Sequence, residues 1–583
     1  MTVEKLITDH IDIWSSALQT RSAAGRGSNG KIDLYGIKKL RELILELAVR
    51  GKLVPQDPND EPASELLKRI AAEKAELVKQ GKIKKQKPLP EISEGEKPFE
   101  LPVGWEWVRL GFITNYGECD KAEPTDADAD TWIVELEDIE KSTSRLLNRV
   151  TFSERPFKSS KNKFNKNNVL YGKLRPYLDK VLVADDSGVC TTEIIPIKVY
   201  GNILPGYLRL LLKSPRFIAY ANESTHGMNL PRLGTDKAIH AVVELTAIAE
   251  QVRIVNKVDE LMSLCDQLEQ QSLLSLDAHQ QLVKTLLATL TDSQNAEELA
   301  ENWARISQHF DTLFNTEASI DTLKQTILQL AVMGKLVPQD PNDEPASELL
   351  KRIEQEKAEL VKEGKIKKQK PLPPVSDEEK PFELPEGWVW CRLAELVAIK
   401  GGKRVSNGYK LLTEPTPHVY IRVADMKDGT IDLSDLKYID EEMHQKIKNY
   451  IITKDDIYMT IVGATIGKCG TVPALLDGMN LTENAARLIP SKLISKDYLY
   501  LCLRSDLCQE QFIDKTMQVG VQKMALNRLA NTLIALPSTN ESLRIRDRVK
   551  EMNKLCSKLV CGIIESQQTK LHLVDALTDA ALN

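Results

Sequence analysis

The chain has 583 residues, 42% of them hydrophobic and 28% charged, with a formal net charge of −6. That length calls for several domains, about four, and the net acidity excludes nucleic-acid binding driven by global charge, leaving local basic patches or a basic partner. The nine cysteines are scattered with no CxxC pair, which reads as reduced cytoplasmic thiols rather than a disulfide frame; no run reaches the roughly 20 apolar residues of a membrane span.

Acids inside the first apolar run exclude a signal peptide. Val3 to Leu18 has helical spacing through Ile7, Ile11, Trp14 and Leu18, and the loop SAAGRGSNG ends it. Ile37 to Val49 predicts a strong helix with Leu40, Leu43, Ile44, Leu47 and Ala48 on one face and Gly51 placed as its stop. Ser64 to Lys79 is a second amphipathic helix, and Gly81 to Pro102 reads as an extended, basic and then Pro-rich linker. From Trp105 to about residue 245 the chain turns to short strands, VTFSERPF, NNVLYGKL, KVLVAD and TTEIIPIKVY, with one helix over Tyr207 to Tyr220 and a loop at Pro231 to Gly234. Ile248 to Leu290 then predicts one long helix. Ile254, Val258, Leu261, Cys265 and Leu268 keep the 4-3-4-3 spacing of a coiled-coil seam, which breaks at Ser272 and His279 and resumes at Leu282 and Leu286. About 40 residues of helix span about 60 Å.

The second half replays the first. The twenty letters GKLVPQDPNDEPASELLKRI at Gly51 recur at Gly334, and over sixty aligned positions only ten differ. Ala296 to Phe314 and Ile320 to Val332 read as helices, a second strand-rich domain carries VYIRVADM, DDIYMTIVG and AARLIP with a helix over Tyr498 to Phe512, and a last long helix bears Ile545, Val549, Met552, Cys556, Leu559 and Ile563 on one seam. Glu250, Arg253 and Cys265 match Glu541, Arg544 and Cys556. The two compact domains are only dimly alike: MNLPRLGT at Met228 against MALNRLAN at Met524, and Thr192-Glu193 against Thr482-Glu483. Two distant copies make a duplicated half rather than a solenoid. The expected segments are 1–104, 105–245, 246–292, 293–387, 388–537 and 538–583, with an α+β fold in 105–245 and 388–537.

Catalytic signals are scarce. Gly463-Ala-Thr-Ile-Gly467-Lys468-Cys469 has one residue too few between its glycines for a phosphate loop, and cysteine where Ser or Thr would hold magnesium, so it reads as a strand–turn–strand. Asp425-Met-Lys427 and Asp435-Leu-Lys437 could each end a nuclease motif but have no matched upstream acid, and the histidines do not pair at metal spacing. Basic patches say more. Lys161, Lys163, Lys166 and Lys173 suit phosphate contacts, and Arg175, Tyr177, Asn229 and Arg232 suit base edges. In the second domain the candidates are Lys403, Arg404, Lys468, Asn480, Glu483, Lys523, Asn527 and Arg528. The plain reading of any one of these is a solvated charged face. GKIKKQK, at Gly81 to Lys87 and again at Gly364 to Lys370, is a third basic segment: a contact to DNA backbone or to the acidic surface of a partner, or a solvated linker. Trp105, Trp107, Trp388 and Trp390 are expected to lock domains to linkers, and Cys265 and Cys556 to be core residues.

LYGKLRPYLDKV at Leu170, IVGATIGKCGTVP at Ile461, NLTENAARLIP at Asn480 and EQVRIVNKVDEL at Glu250 together resemble the specificity subunits of type I restriction-modification enzymes, and the long PQDPNDEPASELLKRI repeats look like the extended-repeat subgroup, the B family. The resemblance implies two target recognition domains separated by two long antiparallel helices in a pseudo-two-fold circular arrangement. It implies a non-catalytic chain that reads a split, asymmetric double-stranded DNA site, one half per domain. Two methyltransferase subunits would dock on the repeats and two restriction/translocase subunits would join them. S-adenosylmethionine, ATP and Mg2+ would be used by those partners, with no cofactor on this chain. A coiled-coil scaffold without DNA contact and a self-contained nuclease are the alternatives.

Overall fold

The computed structural model describes residues 3–21, 31–227, 229–364, 372–512 and 523–582. The chain divides into two compact units. One comprises Met1–Arg21, Lys31–Leu274 and Gln567–Asn583; the other comprises Ser275–Ser566. Two helices are far longer than the rest, Ile248–Asp292 and Thr539–Leu582. The first unit holds the beginning of the central long helix and the end of the terminal one, and the second unit holds the reverse.

In the first unit the seam of the central helix is buried at Ile254, Val258, Leu261, Cys265 and Leu268. Each aliphatic side chain of that seam contributes about 1.5–3 kcal/mol by leaving water. Arg41, on the Tyr35–Val49 helix, reaches Asp266 and Glu269 of that stretch at 2.6 and 2.9 Å. The same repeat helix and its flanks meet the end of the terminal helix: Leu18 N donates to Gln567 (3.2 Å), Tyr35 Oη to Asp575 (2.6 Å) and Lys52 Nζ to the Leu582 carbonyl (2.7 Å). In the second unit the Glu317–Val332 helix shares one core with Ile545, Val549 and Cys556. That core also takes Val283, Leu287 and Leu290, while Leu282 is exposed. The central seam therefore resumes one residue later than its spacing predicts. The helix passes through fourteen residues with no buried position (269–282), and nothing there holds the heptad phase.

The two strand-rich domains share a strand order that their sequences barely show. In the first, a parallel pair, Trp132–Val134 beside Gly188–Cys190, is flanked by antiparallel Val150–Thr151 and Lys161–Phe164. In the second, His418–Ile421 runs parallel to Met479–Leu481, flanked by Tyr438–Ile439 and Ile451–Ile452. Each domain adds an antiparallel trio, a hairpin whose first strand also pairs with a later strand: Ile194–Ile197, Val169–Gly172 and Val181–Val183 in the first, Ala485–Pro490, Ile457–Thr460 and Cys469–Thr471 in the second. Each is entered and left through one antiparallel ladder, Glu106–Arg109 with Val242–Leu245 and Val389–Arg392 with Leu533–Leu536.

Several predicted elements are split. Val3 to Leu18 forms two short helices, Val3–Thr8 and Ile11–Ser16, folded so that the buried Trp14 indole donates to the Leu6 carbonyl at 3.3 Å. The helix expected at Tyr207 to Tyr220 is Pro205–Lys213 followed by Pro215–Glu223, because Pro215 cannot continue the first and Ser214 caps the second. Its counterpart divides the same way at Ser505, into Lys496–Arg504 and Asp506–Phe512, without a proline. Arg232–Leu233, expected in a loop, pairs with Thr225–His226. Met228, the loop 22–30 and residues 365–370 of the second GKIKKQK copy lie outside the described residues.

Candidate DNA interface

The duplicated stretch builds the same joint in each unit. Gly51 ends its helix at φ +66°, and a Cβ there would lie 2.6 Å from Pro102 and 3.0 Å from Trp105. Gly334, at φ +69°, meets Pro385 and Trp388 at 2.5 and 3.0 Å. Only glycine fits either place. The buried indoles then reach the long helices. Trp105 Nε1 donates to Glu250 Oε2 and Trp388 Nε1 to Glu541 Oε2, both at 2.9 Å. One turn on, Arg253 pairs with Asp60, and Arg544 with Asp343 at 2.7 Å. Trp107 packs on Phe99 at 5.0 Å and Trp390 on Phe382 at 5.1 Å, so the tryptophans bind domain to linker and to long helix.

On this frame the first domain gathers one group of candidates. Between the strands Val169–Gly172 and Val181–Val183 runs an eight-residue loop bearing Lys173, Arg175 and Tyr177. Arg175 N donates to the Pro231 carbonyl at 2.7 Å, and Leu174 bridges Arg232, so Asn229 and Arg232 lie beside that loop. Arg232 forks onto Glu193, at 3.0 Å from Nε and from Nη2. Arg175, Tyr177 and Asn229 are exposed. Lys161, Lys163 and Lys166 lie apart, on and just after a strand of the other sheet. Lys161 is tied to Glu135 and mostly buried, Lys163 pairs with Asp126 at 3.6 Å, and Lys166 is exposed.

The second domain places its candidates at the same point of the topology. The loop 461–468 between Ile457–Thr460 and Cys469–Thr471 carries Lys468, and Val462 bridges Lys523, which precedes the Leu526–Ala530 helix with exposed Asn527 and Arg528. Arg404 donates to Glu483 at 2.6 Å, as Arg232 does to Glu193. Tyr420 Oη reaches the Lys403 carbonyl at 2.9 Å and Glu483 at 3.2 Å. Asn480 is a correction. It is fully buried in the Met479–Leu481 strand, donates to the Ile447 carbonyl at 3.0 Å and meets His444 Nδ1 at 2.8 Å. Both ends of its amide are used inside the domain, so it reads no base. The glycine loop at Gly463 is the strand–turn–strand of this same hairpin.

The carboxylates raised as nuclease candidates are structural. Asp425 is buried, caps its own turn through Arg422 N (2.8 Å) and holds the Arg422 guanidinium, which also reaches Asp435. Asp138 does the same in the first domain, accepting from Glu135 N at 2.7 Å and pairing with Arg155. The spacing Val134-Glu-Leu-Glu-Asp138 against Ile421-Arg-Val-Ala-Asp425 is the sequence signal that could have aligned the two domains. Among the described residues no group of three His, Cys, Asp or Glu is placed to hold a metal.

The side chain that holds the first loop is not among the sequence candidates. Lys213, the last residue of the Pro205–Lys213 helix, donates to Asp179 Oδ2 (2.6 Å), the Ser142 carbonyl and Ser144 Oγ (both 2.8 Å). Burial pushes the Asp179 carboxyl up to about 6, against the pull of Lys213 and Arg209, and pushes the Lys213 ammonium down. A lysine closing an apolar helix face, after Leu208, Leu211 and Leu212, was the available signal.

This fold and its paired polar faces define a mixed α/β chain with two like recognition modules. A solved structure from work described as "Structural basis underlying complex assembly and conformational transition of the type I R-M system" is similar in fold, with a TM-score of 0.52 at 18% identity over 83% of this chain and 99% of that one. A family profile described as "Type I restriction modification DNA specificity domain" matches residues 385–566. The Type I restriction enzyme EcoAI specificity subunit of Escherichia coli is 51% identical and the EcoEI specificity subunit of Escherichia coli 50% identical, each over 100% of both chains. The chain belongs to the family of type I restriction enzyme specificity subunits. Among the described residues no helix is long and apolar enough to cross a membrane.

Proposed function

We propose that each domain reads one half of a split, asymmetric DNA site through the face built by its hairpin loop and its Arg–Glu pair. The observation that carries this reading is the repetition of that face. Glu193 and Glu483 hold matching places in two domains whose sequences otherwise diverge, and each binds an arginine beside exposed cations, Arg232 and Arg404, brought from different parts of its domain. Lys166, Lys173, Lys403, Lys468 and Lys523 suit phosphates, and Arg175, Tyr177, Asn229, Asn527 and Arg528 suit base edges. Arg232 and Arg404 have their forks partly committed to carboxylates, so they orient rather than read alone.

The long helices set the gap between half-sites. One helical turn, about 34 Å, puts both halves on one side of the duplex. The duplicated joints give two copies of a methyltransferase subunit two equivalent surfaces, and two restriction/translocase subunits complete the assembly. Adenine methylation with S-adenosylmethionine, and cleavage with ATP and Mg2+, belong to those partners; this chain supplies address, not chemistry. Mapping methylated adenines in genomic DNA from cells carrying the assembled system tests the reading. It expects one bipartite motif with a fixed gap. Exchanging residues 105–245 should change one half of that motif only, and a change in both halves would refute one-domain, one-half reading.

A further inference from the structure

We infer that Lys213, acting through Asp179 and Ser144, is a positioning residue that fixes the loop 173–180 and so sets the base preference of the first domain without touching DNA. The inference rests on the DNA-recognition reading above and adds to it the device that holds one reading loop in shape.

The loop is held in a conformation that its residues do not favour. Arg175 at φ +52° and Asp179 at φ +50° flank the short turn Pro176–Leu178, both in the left-handed region. Side-chain-bearing residues stay there only where the surroundings over-determine them. The surroundings here converge on one ammonium. Lys213 spends all three of its protons on Asp179, Ser142 and Ser144. Ser144 Oγ in turn donates to the Asp179 carbonyl at 2.7 Å and accepts from Val181 N at 3.0 Å, fastening the loop at its exit. Lys213 is buried, the Asp179 side chain keeps only 12% of its surface exposed, and the helix behind Lys213 is set in the core by Tyr207, Leu208 and Leu211. At the entry, the Arg175 N bond to the Pro231 carbonyl passes the same constraint to Asn229 and Arg232.

The second domain solves the same problem differently. Its loop 461–468 takes positive φ at Gly463 and Gly467, +94° and +86°, where no side chain resists. Gln509 Nε2 donates to the Gly467 carbonyl at 3.0 Å. The residue in Lys213's place is Arg504, exposed and turned to Tyr500. The ion-pair pin is therefore a property of the first loop alone.

The test uses the full chain assembled with its partner subunits, bound to a duplex library randomised across both half-sites. K213M should lower discrimination between the best base and its competitors about tenfold at one half-site, the scale of one base contact, and leave the other unchanged. Adding D179G to K213M should recover most of that loss, because glycine takes the left-handed place without a pin. If K213M fails to assemble, S144A carries the same test with an expected loss of about threefold, the scale of one hydrogen bond. Equal loss at both half-sites, or weaker binding with unchanged base preference, would overturn the inference. A wild-type complex with no bipartite preference would instead overturn the reading on which it rests.

Discussion

The joint that fastens each domain to its long helix is the same in both units, but what is buried behind it is not. Trp105 with Glu250 repeats as Trp388 with Glu541, atom for atom. Behind the first joint, Glu46 accepts from Arg50 at 3.2 Å and from Arg216 N at 3.0 Å, while the Arg216 guanidinium pairs with the buried Glu244 at 2.8 Å. The corresponding positions of the second unit are Gln329, Met333, Leu507 and Ala535. Duplication thus preserved contacts made to the frame and let go of contacts made to one domain only. A buried charge network survives where every member is paired, and an uncharged set serves where no charge is buried.

The largest expected effect tests the sameness. W105A and W388A should each cost about 3–5 kcal/mol, and equal losses in chemical denaturation would sharpen the equivalence, whereas a loss in one unit only would break it. Next comes the difference. R216L should destabilise the first unit by about 3 kcal/mol by stranding Glu244, whereas the triple change E46Q/R216L/E244A, which installs three of the second unit's four residues, should restore most of the midpoint.

A smaller effect concerns pH. Burial pushes Glu244 up to about 7, against the pull of Arg216. A carboxyl raised in the folded state adds stability that is complete below its ordinary value near 4.5 and is lost as pH rises through about 7. The melting temperature of E244Q relative to wild type should therefore improve from pH 5 to pH 8, with no such trend for changes at Ala535. The smallest effect is at the surface: K403A should weaken DNA binding less than about tenfold, nearly independently of sequence, and lower the salt slope by about one.

The frame was legible in the sequence because its determinants are local or copied. The long helices, the stop at Gly51, the tryptophan locks and the match of Glu250 with Glu541 all follow from periodicity or from the repeat. The likeness of the two domains was not legible. Their strands are short, and Trp132–Val134, Lys161–Phe164 and Gly188–Cys190 hold too few residues to carry a period. Their partners are distant in sequence, so order emerges only from pairing. The candidate face was half legible. Cations betray themselves by composition. Whether an asparagine is buried, as Asn480 is, or a lysine is spent on a carboxylate of its own domain, as Lys161 is on Glu135, depends on which strand face it occupies.

The ladder that closes each domain has a further consequence. Because Glu106–Arg109 lies against Val242–Leu245, and Val389–Arg392 against Leu533–Leu536, each module's two chain ends emerge side by side. A genetic crossover in the copied flanks could lift out one whole cassette and drop in a stranger, with only two adjacent seams to heal. A chain so built trades a whole module at one pair of neighbouring joints and leaves both long helices and the copied segments as they were.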